Sequence, residues 1–181
     1  MKVWVRLFAL LILALGLGFY QEQLKISINY LLEEGTNLSS YNEKNAIERK
    51  AWIENNRRDA PFDYYHNHTT IQWLYHFDMR QLSILKWVVT GFFLVAFCSL
   101  NITLLNTVQR GRSLTRLLMV TYAVLVSFAF LVYLSGKVTG FTNESYAFSR
   151  KILGALQSII PAMIIWPAAQ VWELTYIKNK Q

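Results

Sequence analysis

Four uninterrupted apolar stretches constrain this chain more than any motif in it. They run over about Val3–Tyr20, Ile84–Leu105, Leu117–Ser135 and Ile152–Trp172, and almost no formal charge falls inside them. An α-helix needs roughly 20 apolar residues to cross a hydrocarbon layer of ~30 Å. Core helices of a small soluble domain are usually shorter than that. The expected fold is therefore all-α: a polytopic membrane protein, a four-transmembrane-helix bundle with a partly helical extracytoplasmic loop. A single membrane domain is expected over residues 1–181. Its connectors would be an outer loop over 21–83, a cytoplasmic connector over 106–116 and a second outer loop over 136–151.

Charge sets the expected orientation. The chain carries a formal net charge of +7, yet only 16% of its residues are charged. The basic residues do not gather into the single patch that nucleic acid would require, so no nucleic-acid partner is expected. They follow the apolar stretches instead. Lys2 and Arg6 flank the first stretch, Arg110, Arg112 and Arg116 fill the short second connector, and Lys178 and Lys180 follow the last. The long first loop is nearly balanced between acids and bases. By the positive-inside rule the basic side is cytoplasmic. The chain is thus expected in the cell (inner) membrane, multi-pass, with both termini cytoplasmic and membrane lipids around it.

Cys98 is the only cysteine and lies inside the second stretch. One thiol makes no internal disulfide, which excludes membrane redox enzymes that work through paired thiols. The first stretch resembles a secretion signal in its basic start, but no A-x-A site follows it, and Phe19-Tyr20 reads as an interfacial aromatic pair. It is expected to stay as a span.

Local patterns refine the first loop. Leu24, Ile28, Leu31 and Leu32 recur at helical spacing, so the first helix should continue past the membrane, with Gly35 as its C-cap. Residues 45–58 read as a short charged helix. Pro61 interrupts, and the aromatic Pro61–His68 segment is turn-like. Ile71–Phe77 leads into the second span.

Candidate sites are few. His66, His68 and Asp63 stand close together in the first loop, and imidazole with carboxylate suits a metal such as zinc. Their spacing matches no metal signature, so neither a metal nor a cofactor nor a catalytic set is expected. Gly154, Ser158 and Ala162 recur every four residues in the fourth stretch, with Ala169 two turns on. Small side chains let membrane helices approach closely. Ala123 and Ser127 offer a similar notch in the third stretch. These six residues are the expected packing or partner seam. Gln157 lies four residues before Pro161, whose missing N–H frees the Gln157 carbonyl. Gln157 is expected to satisfy local backbone or to reach Asn101, Thr103 or Thr121. Arg150 stands at the outer mouth of the fourth stretch, able to anchor at the interface or hold a phosphate.

Three scattered segments carry a resemblance. They are YQEQLKISINYLL over Tyr20–Leu32, the Pro61-Phe62-Asp63-Tyr64 turn, and the Arg150…Gln157…Pro161-Ala162 run. With the four-stretch layout, they resemble the exosortase F system-associated proteins, small four-helix membrane proteins encoded beside exosortase F in Bacteroidetes. The first loop is longer than that family leads one to expect. The resemblance implies an accessory protein of a surface-protein sorting machine, and not the transpeptidase. The only cysteine is mid-span and the histidines lie in the first loop, so no catalytic residue carries over. The expected function is a non-enzymatic membrane subunit that binds other membrane protein subunits. Two alternatives stand beside it: an enzyme acting on lipid or lipid-linked substrate through the His/Asp cluster, and a small transporter or channel component using Gln157, Asn101 and Thr121.

Overall fold

The computed structural model describes residues 2–36, 40–55, 71–108 and 112–178. The described residues are helical, without strands. Six α-helices follow one another: α1 (Lys2–Thr36), α2 (Ala46–Asn55), α3 (Met79–Val108), α4 (Arg112–Thr139), α5 (Thr142–Leu156) and α6 (Ile160–Lys178). Short 3-10 turns at Tyr41–Glu43 and Gln72–His76 precede α2 and α3.

Among the described residues, three segments are long and apolar enough to cross a membrane: Val3–Glu33, Met79–Val108 and Leu114–Thr139. A fourth exists only if Thr142–Leu156 and Ile160–Ala168 act as one span, because the pair bends by 67°. The fourth apolar stretch is therefore not the unbroken helix its composition suggests. α5 begins at Thr142, so most of the segment expected as the second outer loop is helical.

The break has a local cause. In a continuous helix the Gln157 carbonyl would accept from residue 161, but Pro161 has no N–H and its ring clashes with that carbonyl. α5 stops at Leu156 instead. Ser158 then bridges the gap: its hydroxyl donates to the Ala155 carbonyl (2.6 Å) and accepts from the Ile160 N–H (3.1 Å). One side chain thus serves the end of one helix and the start of the next.

The chain forms two compact units, one of residues 1–18 and 93–181, the other of residues 19–92. The boundaries fall inside α1 and α3. These helices have 35 and 30 residues, so at ~1.5 Å per residue each is longer than a ~30 Å hydrocarbon layer requires.

In the 19–92 unit α1 continues as a helix, as the spacing predicts, and Leu24, Ile28 and Leu31 are buried. They pack in a core with Tyr41, Ile53, Leu74, Tyr75 and Leu82. Gly35 is not a cap but a point of close approach: a Cβ there would collide with the Met79 sulfur and touch Tyr41. Two capping boxes start the next helices. Asn45 Oδ1 accepts from the Glu48 N–H (2.9 Å) while Glu48 Oε2 accepts from the Asn45 N–H (3.0 Å). Asp78 and Gln81 repeat the exchange at 2.7 and 3.0 Å.

In the other unit Leu105, Leu114, Leu118, Tyr122, Leu156, Ala162 and Ile165 form one core cluster. α4 and α5 make its tightest pair. Gly140, with φ of 83°, turns the chain between them, a conformation that only glycine adopts without cost. Gly136 then lies so near Ser145 that a Cβ would overlap that side chain. Farther along, the buried Ser149 hydroxyl donates to the Ala129 carbonyl at 2.8 Å.

Candidate functional site

Asn101 is the most deeply buried polar side chain among the described residues, at 0% exposure in the last third of α3. Helix spacing places it one turn beyond Phe97, on the face that meets α4 and the break. Its Nδ2 lies within hydrogen-bonding distance of three acceptors, the Phe97 carbonyl of its own helix (2.9 Å), the Tyr122 hydroxyl oxygen (2.9 Å) and the Ser158 carbonyl (2.8 Å), which its two N–H groups share. The Tyr122 hydroxyl in turn donates to the Leu156 carbonyl at 2.7 Å. The two carbonyls flanking the break are thus held by side chains of α3 and α4. A helix end buried without such partners would leave backbone acceptors unpaired. Asn101 Oδ1, by contrast, has no hydrogen-bond partner among the described residues.

The sequence candidates fall around this centre unevenly. Gln157 is buried at 5% exposure in the turn between α5 and α6, and its N–H donates to the Leu153 carbonyl (3.0 Å). Thr103 and Thr121 do not reach it with their hydroxyls, which bond back to Ser99 and Leu117 in their own helices. The cross-helix bond runs from Asn101 to the Ser158 backbone. Gly154, Ser158 and Ala162 do not share one helical face, because the break divides them between α5, the turn and α6. Ala162 is buried, whereas Gly154 is exposed and a Cβ there meets nothing within 4 Å. Ala123 and Ser127 are exposed; Ala129 and Gly136 supply the close approach on α4 instead. Arg150 is exposed on α5. His66, His68 and Asp63 lie outside the described residues, as does the Ala169 side chain.

The sequence gives one clue to the α4–α5 seam: Ala129 and Gly136 are seven residues apart, two helical turns on one face. Asn101 carries a clearer signal, as the only amide inside the second apolar stretch. A polar side chain there is costly unless it is bonded.

A second constellation lies in the 19–92 unit. Arg49 is 93% buried on α2 and spends its donors on backbone oxygens. Nε donates to the Tyr41 carbonyl (2.9 Å), one terminal nitrogen to those of Tyr75 (3.1 Å) and Phe77 (2.9 Å), and the other to that of Asn42 (3.3 Å). The guanidinium also stands 4.7 Å from the Tyr41 ring centre, within cation–π range. This residue fastens α2 to both 3-10 turns. Burial pushes the Tyr41 hydroxyl above its ordinary pKa of 10.0, with Arg49 opposing in part.

Among the described residues, no group of three or more His, Cys, Asp or Glu could hold a metal. An open groove of ≈ 570 Å³, lined only by apolar side chains, runs along Trp4, Val5, Leu7, Phe8, Leu11 and Leu104. Its chemistry suits a hydrocarbon chain. Comparison with known protein families, with characterised proteins and with solved structures finds no match.

Proposed function

We propose that this chain is a non-enzymatic accessory subunit of a larger membrane complex. In this reading it crosses the bilayer four times, the bent α5–α6 pair being the fourth crossing. Both termini are cytoplasmic, and the 19–92 unit stands on the extracytoplasmic side of the cell (inner) membrane. The observation that carries the reading is the construction of that unit. Its buried arginine is consumed by backbone carbonyls and its two helix starts are closed by capping boxes. Such chemistry rigidifies the unit, as a docking platform requires. Other membrane protein subunits are the proposed partners. The resemblance in the Tyr20–Leu32, Pro61–Tyr64 and Arg150–Ala162 segments points to a surface-protein sorting machine of the exosortase type.

Gly154 gives a clean test, because it is exposed and a Cβ there meets nothing within 4 Å. In a mild-detergent pull-down with mass spectrometry, Gly154→Leu should keep normal membrane abundance and lose co-purifying membrane proteins. Unchanged partners for Gly154→Leu, together with loss of cellular function in His66→Ala and His68→Ala at normal abundance, would replace this reading with the lipid-directed enzyme.

One observation favours a second reading, a small transport component. Broken helices with polar groups at the break are where many transporters bind their cargo, and here Asn101 and Tyr122 meet such a break. That reading requires Asn101→Leu or Gln157→Leu to stop flux into proteoliposomes while partner assembly survives.

A further inference from the structure

We propose that the α5–α6 break encloses a small neutral O–H donor, water or the hydroxyl of a short alcohol, bound to Asn101 Oδ1. The orientation of the amide is fixed by its neighbours. The Phe97 and Ser158 carbonyls can only accept, so the amide nitrogen must face them. The oxygen is then the branch left over, unpartnered among the described residues on a side chain with 0% exposure. Leaving a buried acceptor unpaired costs about 1–3 kcal/mol. At 0% exposure no bulk solvent reaches the side chain to relieve the loss, and each such orphan in a native fold calls for a guest or a cause.

The break is an independent observation pointing the same way. Non-helical backbone at membrane depth occurs where it is enclosed by protein or lines a wet cavity. α5 ends there and α6 begins, so helix ends of opposite partial charge meet, an environment for a neutral dipolar guest rather than an ion. Asn101 Nδ2 reaches the Ser158 carbonyl and the Tyr122 hydroxyl reaches that of Leu156, so the amide that carries Oδ1 is held against the polar backbone of the break. The chemistry also argues against a cation. Among side chains described in residues 93–181, the carboxylate is that of Glu144, exposed in the first turn of α5 and about three turns from the break. A metal ion or ammonium would sit without a counter-charge. Oδ1 is out of reach of bulk solvent, so the guest is small and enclosed.

This inference does not depend on the accessory-subunit reading, since a pull-down result leaves it untouched. The test is a structure of the full chain in a lipid nanodisc, at a resolution that shows water, with and without 2-bromoethanol. Density within about 3.2 Å of Asn101 Oδ1 that persists without the probe identifies water. Bromine density replacing it identifies a site for hydroxyls generally. Either outcome supports the proposal. Oδ1 walled by carbon, with no density under either condition, overturns it.

Discussion

The Tyr41 hydroxyl is buried without a hydrogen-bond partner among the described residues, while its ring lies 4.7 Å from the Arg49 guanidinium. The ring is useful to the fold and the hydroxyl is not. Tyr41→Phe should therefore raise the stability of the 19–92 unit by about 1 kcal/mol, because it removes an unsatisfied polar atom and keeps the shape. The same substitution should abolish a pH effect. Burial raises the folded-state pKa of Tyr41 above 10.0, so its contribution is complete below about pH 10 and is lost as pH climbs through the folded value. Thermal unfolding of the unit followed from pH 8 to 11 should show a decline in the unsubstituted chain that Tyr41→Phe reduces. Arg49 has the opposite character. Arg49→Met should destabilise the unit by about 2–4 kcal/mol, since it leaves several buried carbonyls without a donor. Arg49→Lys should rescue little, because one ammonium cannot reproduce the planar fork. Hydrogen exchange at α2 would report both. In sequence, Arg49 looks like one charge among many on a short charged helix. Nothing local marks it as buried, because its acceptors at Tyr75 and Phe77 come 26 and 28 residues later.

At the scale of helices, apolar runs foretold α1, α3 and α4 well, since their length and hydropathy act along the chain itself. They foretold the fourth stretch poorly. Proline is common inside membrane helices, where neighbours re-satisfy the freed backbone, so Pro161 alone does not announce a stop. The carbonyls freed at the stop are met by Tyr122 and Asn101, which arrive from other helices. The small-residue stripes do not mark the α4–α5 seam for a related reason: a Gly-xxx-Ser pattern says that a close approach is possible, not which face makes it. Two glycines separate the cases. Gly136→Leu should split the α4–α5 pair, because a side chain there overlaps Ser145; loss of a cysteine crosslink between positions 129 and 149 would show it. Gly154→Leu should leave that crosslink intact, since its surroundings are open. Tyr122→Phe should cost about 0.6–2 kcal/mol, the usual worth of one hydrogen bond between membrane helices. Forced unfolding in bicelles measures it.

For the whole molecule, the sequence reading and the structure agree on the coarse statement: helices throughout the described residues, three or four of them able to cross a membrane. The number of crossings and the placing of the ends rest on charge, which is a property of the chain with its bilayer and not of the chain alone. A thiol-free background, Cys98→Ala, makes the topology testable. A cysteine at Ile47, which is 81% exposed on α2, should react with an impermeant maleimide on intact cells. One at Lys2 should react only after permeabilisation. The reverse pattern would invert the molecule and remove the extracytoplasmic platform.

The reach of Arg49 also sets a timetable for biosynthesis. Two of its four backbone oxygens do not exist until the ribosome has added another 28 residues. The segment around α2 can therefore close only once synthesis has passed Phe77, at the threshold of the second long helix. Any factor that delays that later stretch prolongs the exposure of a loose, protease-sensitive strand of nascent polypeptide.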